Sequence, residues 1–132
     1  MSIICFIRDL ITGRMSQPVS AWFTVDFDES AVWLSARPPG RKPWAQSFRW
    51  SDIERVCFKA EGTSTSDTIY VFTRLRPERF AVPTEAHGGA ELWAEIIRRG
   101  HFGAELAFKA ASSPSGAFWW PSEPTLTRAN DR

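Results

Sequence analysis

The chain contains few of the residues that most often carry catalysis or bind metals. Cysteine and histidine occur twice each in 132 residues, at Cys5, Cys57, His87 and His101. Their long, irregular gaps match no metal-binding spacing, and neither histidine has a nucleophile or a carboxylate at the spacing of a catalytic motif. The glycine pair at residues 88–89 lacks the spacing and the following lysine of a phosphate-binding loop. These absences predict a protein that is not an enzyme and that holds no cofactor and no metal.

A surplus of charge of one sign is also missing. Lysine and arginine total 16, aspartate and glutamate total 15, and the formal net charge is +1. This balance gives no overall field that would attract nucleic acid. The aromatic residues are not interleaved with enough basic residues to hold a phosphate backbone while stacking on bases. We therefore expect no nucleic acid as a partner.

Long hydrophobic runs are absent as well. The apolar segment 3–11 is interrupted by Arg8 and Asp9, is too short to cross a bilayer and lacks the pattern of a signal peptide. A chain of this size does not need disulfides, so its two cysteines are typical of small buried residues in a reducing compartment. The expected location is the cytoplasm.

What the chain does contain is a series of short β-like runs. Alternation of apolar and polar residues predicts strands at residues 19–27, 31–36, 44–50, 53–60 and 80–82. Residues 68–73 are predicted to form a further strand with apolar residues on both faces, which is typical of a central or covered strand. The length and the 43% hydrophobic content indicate a single domain, which we place at residues 1–111 with its core at 19–100. Residues 112–132 are expected to form a flexible or back-packed tail. Residues 1–17 fit a strand and an amphipathic helix equally well.

One amphipathic helix follows the strands, at residues 84–99. Its apolar stripe consists of Ala86, Ala90, Trp93 and Ile97, widened by Leu92 and Ile96. Thr84 is a candidate N-cap, and a later start at Gly89 is the alternative, because glycine weakens a first turn. Glu95 and Arg99 are spaced to form an ion pair. Residues 102–108 fit a further short segment, either helical or extended.

This order of elements predicts a mainly β (α+β) fold, an antiparallel barrel or sandwich of six or seven strands capped by one C-terminal helix. The order, with Trp93 in the closing helix, resembles the pleckstrin-homology-like (PH-like) superfold. In that superfold a helix plugs one end of two nearly orthogonal sheets and often carries a core tryptophan. Small bacterial members show a short turn, an Asp-Ile pair and a hydrophobic strand, and a similar pattern is present in WSDIERV at residues 50–56. The resemblance covers residues 19–100.

The resemblance implies that the chain is a binding module. The first hairpin loop indicates one class of ligand that it does not bind. PH-like members that bind phosphoinositides usually carry lysine and arginine in the first hairpin loop. The corresponding loop here is Asp28-Glu29-Ser30, whose charge would repel a phosphate. We therefore expect no phosphoinositide binding.

Two sets of residues are candidates for partner contact. Trp22 and Trp33 are out of phase with apolar neighbours on their predicted strands, so each could face a partner or fill the core. Arg37, Arg41 and Lys42 lie in a proline-rich loop, where stiffness reduces the entropy lost on binding. A solvated turn is the simpler explanation of this loop.

A third candidate is the aromatic run Phe118-Trp119-Trp120 in the polar tail. Three aromatic side chains in water would be a liability, so something should cover them. Folding back onto a strand edge or groove of the domain is one outcome. A docking motif for another chain is the other.

Two hypotheses of function follow. The first is a non-catalytic binding or scaffolding module that recognises a protein or peptide along an aromatic strand edge or groove, with homo-oligomerisation through an edge strand as a variant. The second is a small-ligand or lipid-binding barrel, in which the helix covers a cavity lined by aromatic residues. A cavity of several hundred Å³ between the sheets would favour the second, and a packed interior would favour the first.

Overall fold

A computed structural model describes residues 17–62 and 66–121 of the chain. These residues form seven strands and two α-helices. The strands are β1 (Phe23–Phe27), β2 (Ala31–Ala36), β3 (Trp44–Arg49), β4 (Ile53–Glu61), β5 (Thr68–Thr73), β6 (Arg76–Pro83) and β7 (Ser115–Trp120). The helices are α1 (Gly89–Arg98) and α2 (Ala104–Ala111), and short 3-10 turns lie at Val19–Ala21 and Trp50–Asp52.

The first three strands form one antiparallel sheet in the order β1-β2-β3. Alternation in the sequence matches its two faces. In β2, Val32, Leu34 and Ala36 are buried while Trp33 and Ser35 are exposed. The sheet therefore covers the core with one face and leaves the other in water, as half-buried antiparallel sheets do.

The other four strands form a second antiparallel sheet in the order β6-β5-β4-β7. Strand β5 is central, and both of its faces are apolar, as the sequence from residue 68 to 73 indicates. The last strand, β7, is added to β4 after both helices, with Phe118 opposite Phe58 and Trp120 opposite Val56. Residues from the tail therefore complete this sheet.

The inner faces of the two sheets meet directly. The rings of Phe48 and Phe80, one from each sheet, have centroids 4.8 Å apart. Trp93 of α1 stacks on Phe58 at 4.8 Å, and Leu92 of the same helix is fully buried. Complete burial of a leucine side chain contributes about 1.5–3 kcal/mol. The helix is thereby fixed to the core.

The coarse prediction of a mainly β, antiparallel fold with helical elements is confirmed, and one finer part, the single capping helix, is corrected. Within the described residues the sheets do not close into a barrel, and a single parallel bridge between Thr24 and His87 links β1 to the chain that follows β6. The domain also has a second helix and a strand after its first helix, because residues 104–120 continue to pack on the sheet.

Several boundaries differ from the sequence prediction. Val19–Ala21 is a 3-10 turn rather than the start of a strand. Strand β6 begins at Arg76, earlier than expected, because Arg76 already pairs with Thr73 of β5. Helix α1 begins at Gly89, the later of the two predicted starts. The prediction for residues 1–17 falls, apart from its last residue, outside the described part of the chain.

Candidate functional site

Strand β1 forms an edge of its sheet, and its register fixes which backbone groups face outward. The amide of Asp28 donates to the carbonyl of Ala31 at 3.1 Å. Since hydrogen-bonded and non-bonded pairs alternate along an antiparallel ladder, Asp26 bonds to β2, while Val25 and Phe27 turn their amides and carbonyls away from it. Among the described residues, no strand of the sheet lies beyond β1.

The segment before α1 covers the first half of this edge. The amide of Val25 donates to the carbonyl of His87 at 2.8 Å, and the amide of His87 donates to the carbonyl of Phe23 at 2.9 Å. The chain then leaves β1 to begin the helix. Phe27, two residues further along β1, lies beyond the end of this pairing.

Gly88 is what allows the chain to approach β1 so closely. Its φ is +87°, a conformation that side chains with a β-carbon rarely adopt. A β-carbon at this position would also lie 2.3 Å from the carbonyl oxygen of Val25. The glycine therefore permits both the pairing with β1 and the sharp entry into α1.

A cleft of about 290 Å³ opens where the chain turns away from the strand. We call it the β1–α1 cleft, and its lining residues are Val25, Asp26, Phe27, His87, Gly88 and Glu91. Two carboxylates and one imidazole line it, together with the strand backbone and an aromatic ring. Among the residues that the structure describes, no lysine or arginine belongs to this lining. The cleft therefore offers hydrogen-bonding backbone and a negative charge.

An exposed tryptophan lies beside the cleft. Trp33 of β2 is directly opposite Asp26 of β1, and cross-strand neighbours in such a pair project from the same face of the sheet. The Trp33 residue is 45% exposed. Trp33 therefore lies on the same face of the sheet as Asp26, one of the residues that line the cleft.

The far end of β1 is held to the rest of the molecule by polar contacts. The Arg99 guanidinium donates to the carbonyl oxygens of Asp28 and Glu29 at 3.2 Å each, and the Trp50 indole donates to the Asp28 carbonyl at 2.8 Å. Arg99 also lies 4.1 Å from the Trp50 ring centroid. Glu95 holds the same guanidinium at 2.7 Å, the predicted ion pair. These contacts fix the position of the hairpin turn next to the cleft.

The hairpin turn is itself capped by an aspartate. The Asp28 carboxylate accepts hydrogen bonds from the amides of Ser30 at 2.8 Å and Ala31 at 3.0 Å. These bonds lower the pKa of Asp28, because they favour the charged form. Asp28 therefore serves the turn, while Asp26 and Glu91 supply the carboxylates that line the cleft.

The structure separates the residues that the sequence singled out. Trp33 lies on the surface beside the cleft. Trp22 is buried at 5% exposure, because it follows the 3-10 turn and strand alternation does not yet apply to it. Arg37, Arg41 and Lys42 are exposed in the loop after β2, at the end of the sheet opposite the cleft. Phe118, Trp119 and Trp120 are half-buried in β7, against β4.

Asp26, His87 and Glu91 were not singled out as binding residues from the sequence. They come from a strand, a loop and a helix, and no local pattern joins them. The one usable signal was the hairpin register, which brings Asp26 opposite Trp33.

No family model, curated protein or solved structure matches the chain. Within the described residues, no group of three or more histidine, cysteine, aspartate or glutamate side chains is arranged to hold a metal ion. The helices of the same residues are too short or too polar to cross a membrane.

Proposed function

We propose that this chain is a non-catalytic binding module with a PH-like fold, which recognises a protein or peptide partner through the edge of β1, the β1–α1 cleft and Trp33. One observation carries the proposal. The backbone amide and carbonyl of Phe27 point away from β2, beyond the edge of the sheet. Phe27 also lines the open β1–α1 cleft. An exposed strand edge of this kind is a template for pairing with another chain, and strand addition is a common mode of peptide recognition.

The arrangement of sheets and helix supports the PH-like assignment. Two antiparallel sheets pack face to face, and α1 lies against them with Trp93 stacked on Phe58. The addition of β7 beyond the helix departs from the simple expectation. Strand β7 widens the second sheet by one strand, and Trp93 of α1 stacks on Phe58 of the neighbouring strand β4.

Trp33 supports recognition of a partner at this edge rather than elsewhere. A rigid, exposed aromatic side chain supplies contact area at a small cost in conformational entropy. Leu75 and Phe108 are also exposed, but neither lies in the three-stranded sheet. A second copy of this chain is one partner that the same edge could accept.

Selection of peptides tests the proposal. A display library of random short peptides is panned against the purified protein, and the enriched peptides are measured against Trp33→Ser and Phe108→Ser variants. Both substitutions remove an exposed aromatic side chain, so Phe108→Ser is the matched control. We expect Trp33→Ser to weaken binding by more than about 1 kcal/mol, as at an interface hot spot, and Phe108→Ser to have no effect. Failure to enrich any peptide, or equal loss in both variants, contradicts the proposal.

A further inference from the structure

The β1–α1 cleft also indicates which chemistry a partner would carry, an inference that rests on the proposed function. We infer that the cleft accepts an extended peptide segment that pairs with the backbone of β1 at Phe27, beyond the pairing with His87, and presents lysine or arginine side chains to Asp26 and Glu91.

The backbone requires an extended occupant. Along this edge, Val25 and Phe27 point their hydrogen-bonding groups outward, and the loop at His87 uses the amide of Val25. A segment that continues this pairing past His87 would reach Phe27. The volume of about 290 Å³ is at the lower limit of small-molecule pockets, so it suits one or two side chains of such a segment rather than a large compact ligand.

The charge of the lining favours a cation. Asp26 and Glu91 are both exposed and line the cleft. The arginines of the neighbouring helical end, Arg98 and Arg99, form their ion pairs with Glu95 and not with Asp26 or Glu91. Opposite charges across a binding surface provide specificity and raise the rate of association. An acidic segment would meet repulsion at the same place.

Trp33 adds a second contact for a cation. It lies opposite Asp26, one strand inward from the edge. A lysine or arginine side chain that projects from the same face of an added strand would lie near both the carboxylate and the aromatic ring. Cations are attracted to the face of an indole, and arginine is the most frequent partner.

The test compares five short labelled peptides by fluorescence anisotropy. Three alternate threonine with lysine, glutamine or glutamate. The other two are the lysine peptide with N-methyl groups on alternate amides, in one phase or the other, so that each lacks donors on one of its two edges. We expect the lysine peptide to bind most tightly and the glutamate peptide least tightly. N-methylation of the edge that faces β1 should abolish binding, and the two possible methylation phases should therefore differ.

Charge-reversed proteins provide the matched control. The double variant Asp26→Lys with Glu91→Lys should invert the preference, with a loss of about tenfold or more for the lysine peptide. The double variant Glu54→Lys with Glu105→Lys alters net charge equally at exposed positions on β4 and α2, and it should keep the original order. Circular dichroism of each variant confirms that it folds.

The outcomes separate the inference from the proposed function. Equal binding of the lysine and glutamate peptides, equal responses of the two double variants, or no binding by any peptide overturns the inference. Insensitivity to N-methylation in both phases overturns the strand-addition part of it. The proposed function still stands in these cases if library peptides of other chemistry are enriched and lose affinity in Trp33→Ser.

Discussion

The outward faces of the two sheets differ in their exposure to solvent. In the three-stranded sheet, the face turned away from the core carries Trp33 and Ala45, which are exposed. In the four-stranded sheet, the corresponding face carries Cys57, Tyr70 and Ala81, which are 3%, 5% and 1% exposed. The first sheet is a surface with a core on one side, whereas the second is buried on both sides of its central strands.

Arginine and aromatic side chains account for part of this difference. The Arg79 guanidinium lies 4.8 Å from the Tyr70 ring centroid, and the Arg55 guanidinium lies 4.6 Å from the Trp119 ring centroid. The aliphatic stems of such side chains cover apolar area while the charge stays near water. Burial also raises the pKa of the Cys57 thiol to about 11. The comparison teaches that the exposed face available for recognition belongs to the three-stranded sheet.

The largest expected effect on stability comes from placing a carboxylate on the outward face of each sheet in turn. Ala81→Glu buries a carboxylate and should lower the free energy of unfolding by about 3 kcal/mol or more. Ala45→Glu, the matched control on the exposed face of β3, should alter it by less than about 0.5 kcal/mol. Urea denaturation followed by tryptophan fluorescence measures both. If Ala81→Glu prevents folding, Ala81→Ser replaces it, and equal effects of the two positions would contradict the assignment of the faces.

A smaller effect is expected where β7 joins the second sheet. A β-carbon added at Gly103 would lie 2.8 Å from the Trp120 ring, so Gly103→Ala should cost about 1–3 kcal/mol through overpacking. The loss of stability caused by Gly103→Ala should largely disappear in the Trp120→Leu variant. A double-mutant cycle on thermal or urea unfolding measures this coupling, which also separates the clash from any change in helix capping. Additive effects would show that Trp120 does not pack on Gly103 in solution.

The smallest effect concerns the polar contacts at the hairpin end of the first sheet. Hydrogen bonds from Arg98 and Arg99 lower the pKa of Glu95 from 4.5 to about 2. Because the folded protein binds this proton less readily than the unfolded chain, the contribution of Glu95 is fully present above about pH 4.5 and is lost as pH falls towards 2.

Substitution isolates that contribution. Glu95→Gln should be less stable than the parent protein at neutral pH, and the difference should vanish near pH 2. Glu91→Gln, on the same helix, is the control, since Glu91 makes no ion pair in the described structure. The midpoints of urea denaturation are measured for each protein from neutral pH to about pH 2. A difference in midpoint between Glu95→Gln and the parent that does not change with pH would contradict the ion-pair geometry.

Much of the first sheet could be predicted from the sequence because one of its faces is wet. Alternation of buried and exposed residues marks β2 at its observed bounds and most of β3. In β4, which belongs to the second sheet, alternation also predicts the inward-facing residues Val56, Phe58 and Ala60. Such patterns depend only on neighbouring residues and a period of two.

The second sheet was harder to predict because its completion depends on long-range pairing. Ser115–Trp120 follows a segment rich in serine and proline, which is typical of a tail. Its strand conformation comes from the available edge of β4 rather than from local preference. The aromatic run at residues 118–120 predicts that these side chains are covered, but it does not predict that β4 is the strand with which they pair.

The candidate site was mostly invisible in the sequence for a similar reason. Trp33 was singled out by its phase in β2. Asp26, His87 and Glu91 meet only because Gly88 brings the loop against the Val25 carbonyl, and that approach is a property of the folded chain. Acidic and histidine residues far apart in the sequence carry no sign of such a meeting.

The central claim is that partners bind at the edge of β1, and backbone amide shifts test it most directly. An isotope-labelled sample is titrated with a peptide enriched from the library, and its amide resonances are followed by NMR. The account predicts that the largest shifts fall at Val25–Phe27, at Trp33 and at residues 87–91, with slower hydrogen exchange at the Phe27 amide. Shifts concentrated instead on β3, β7 or the loop at residues 37–43 would contradict it.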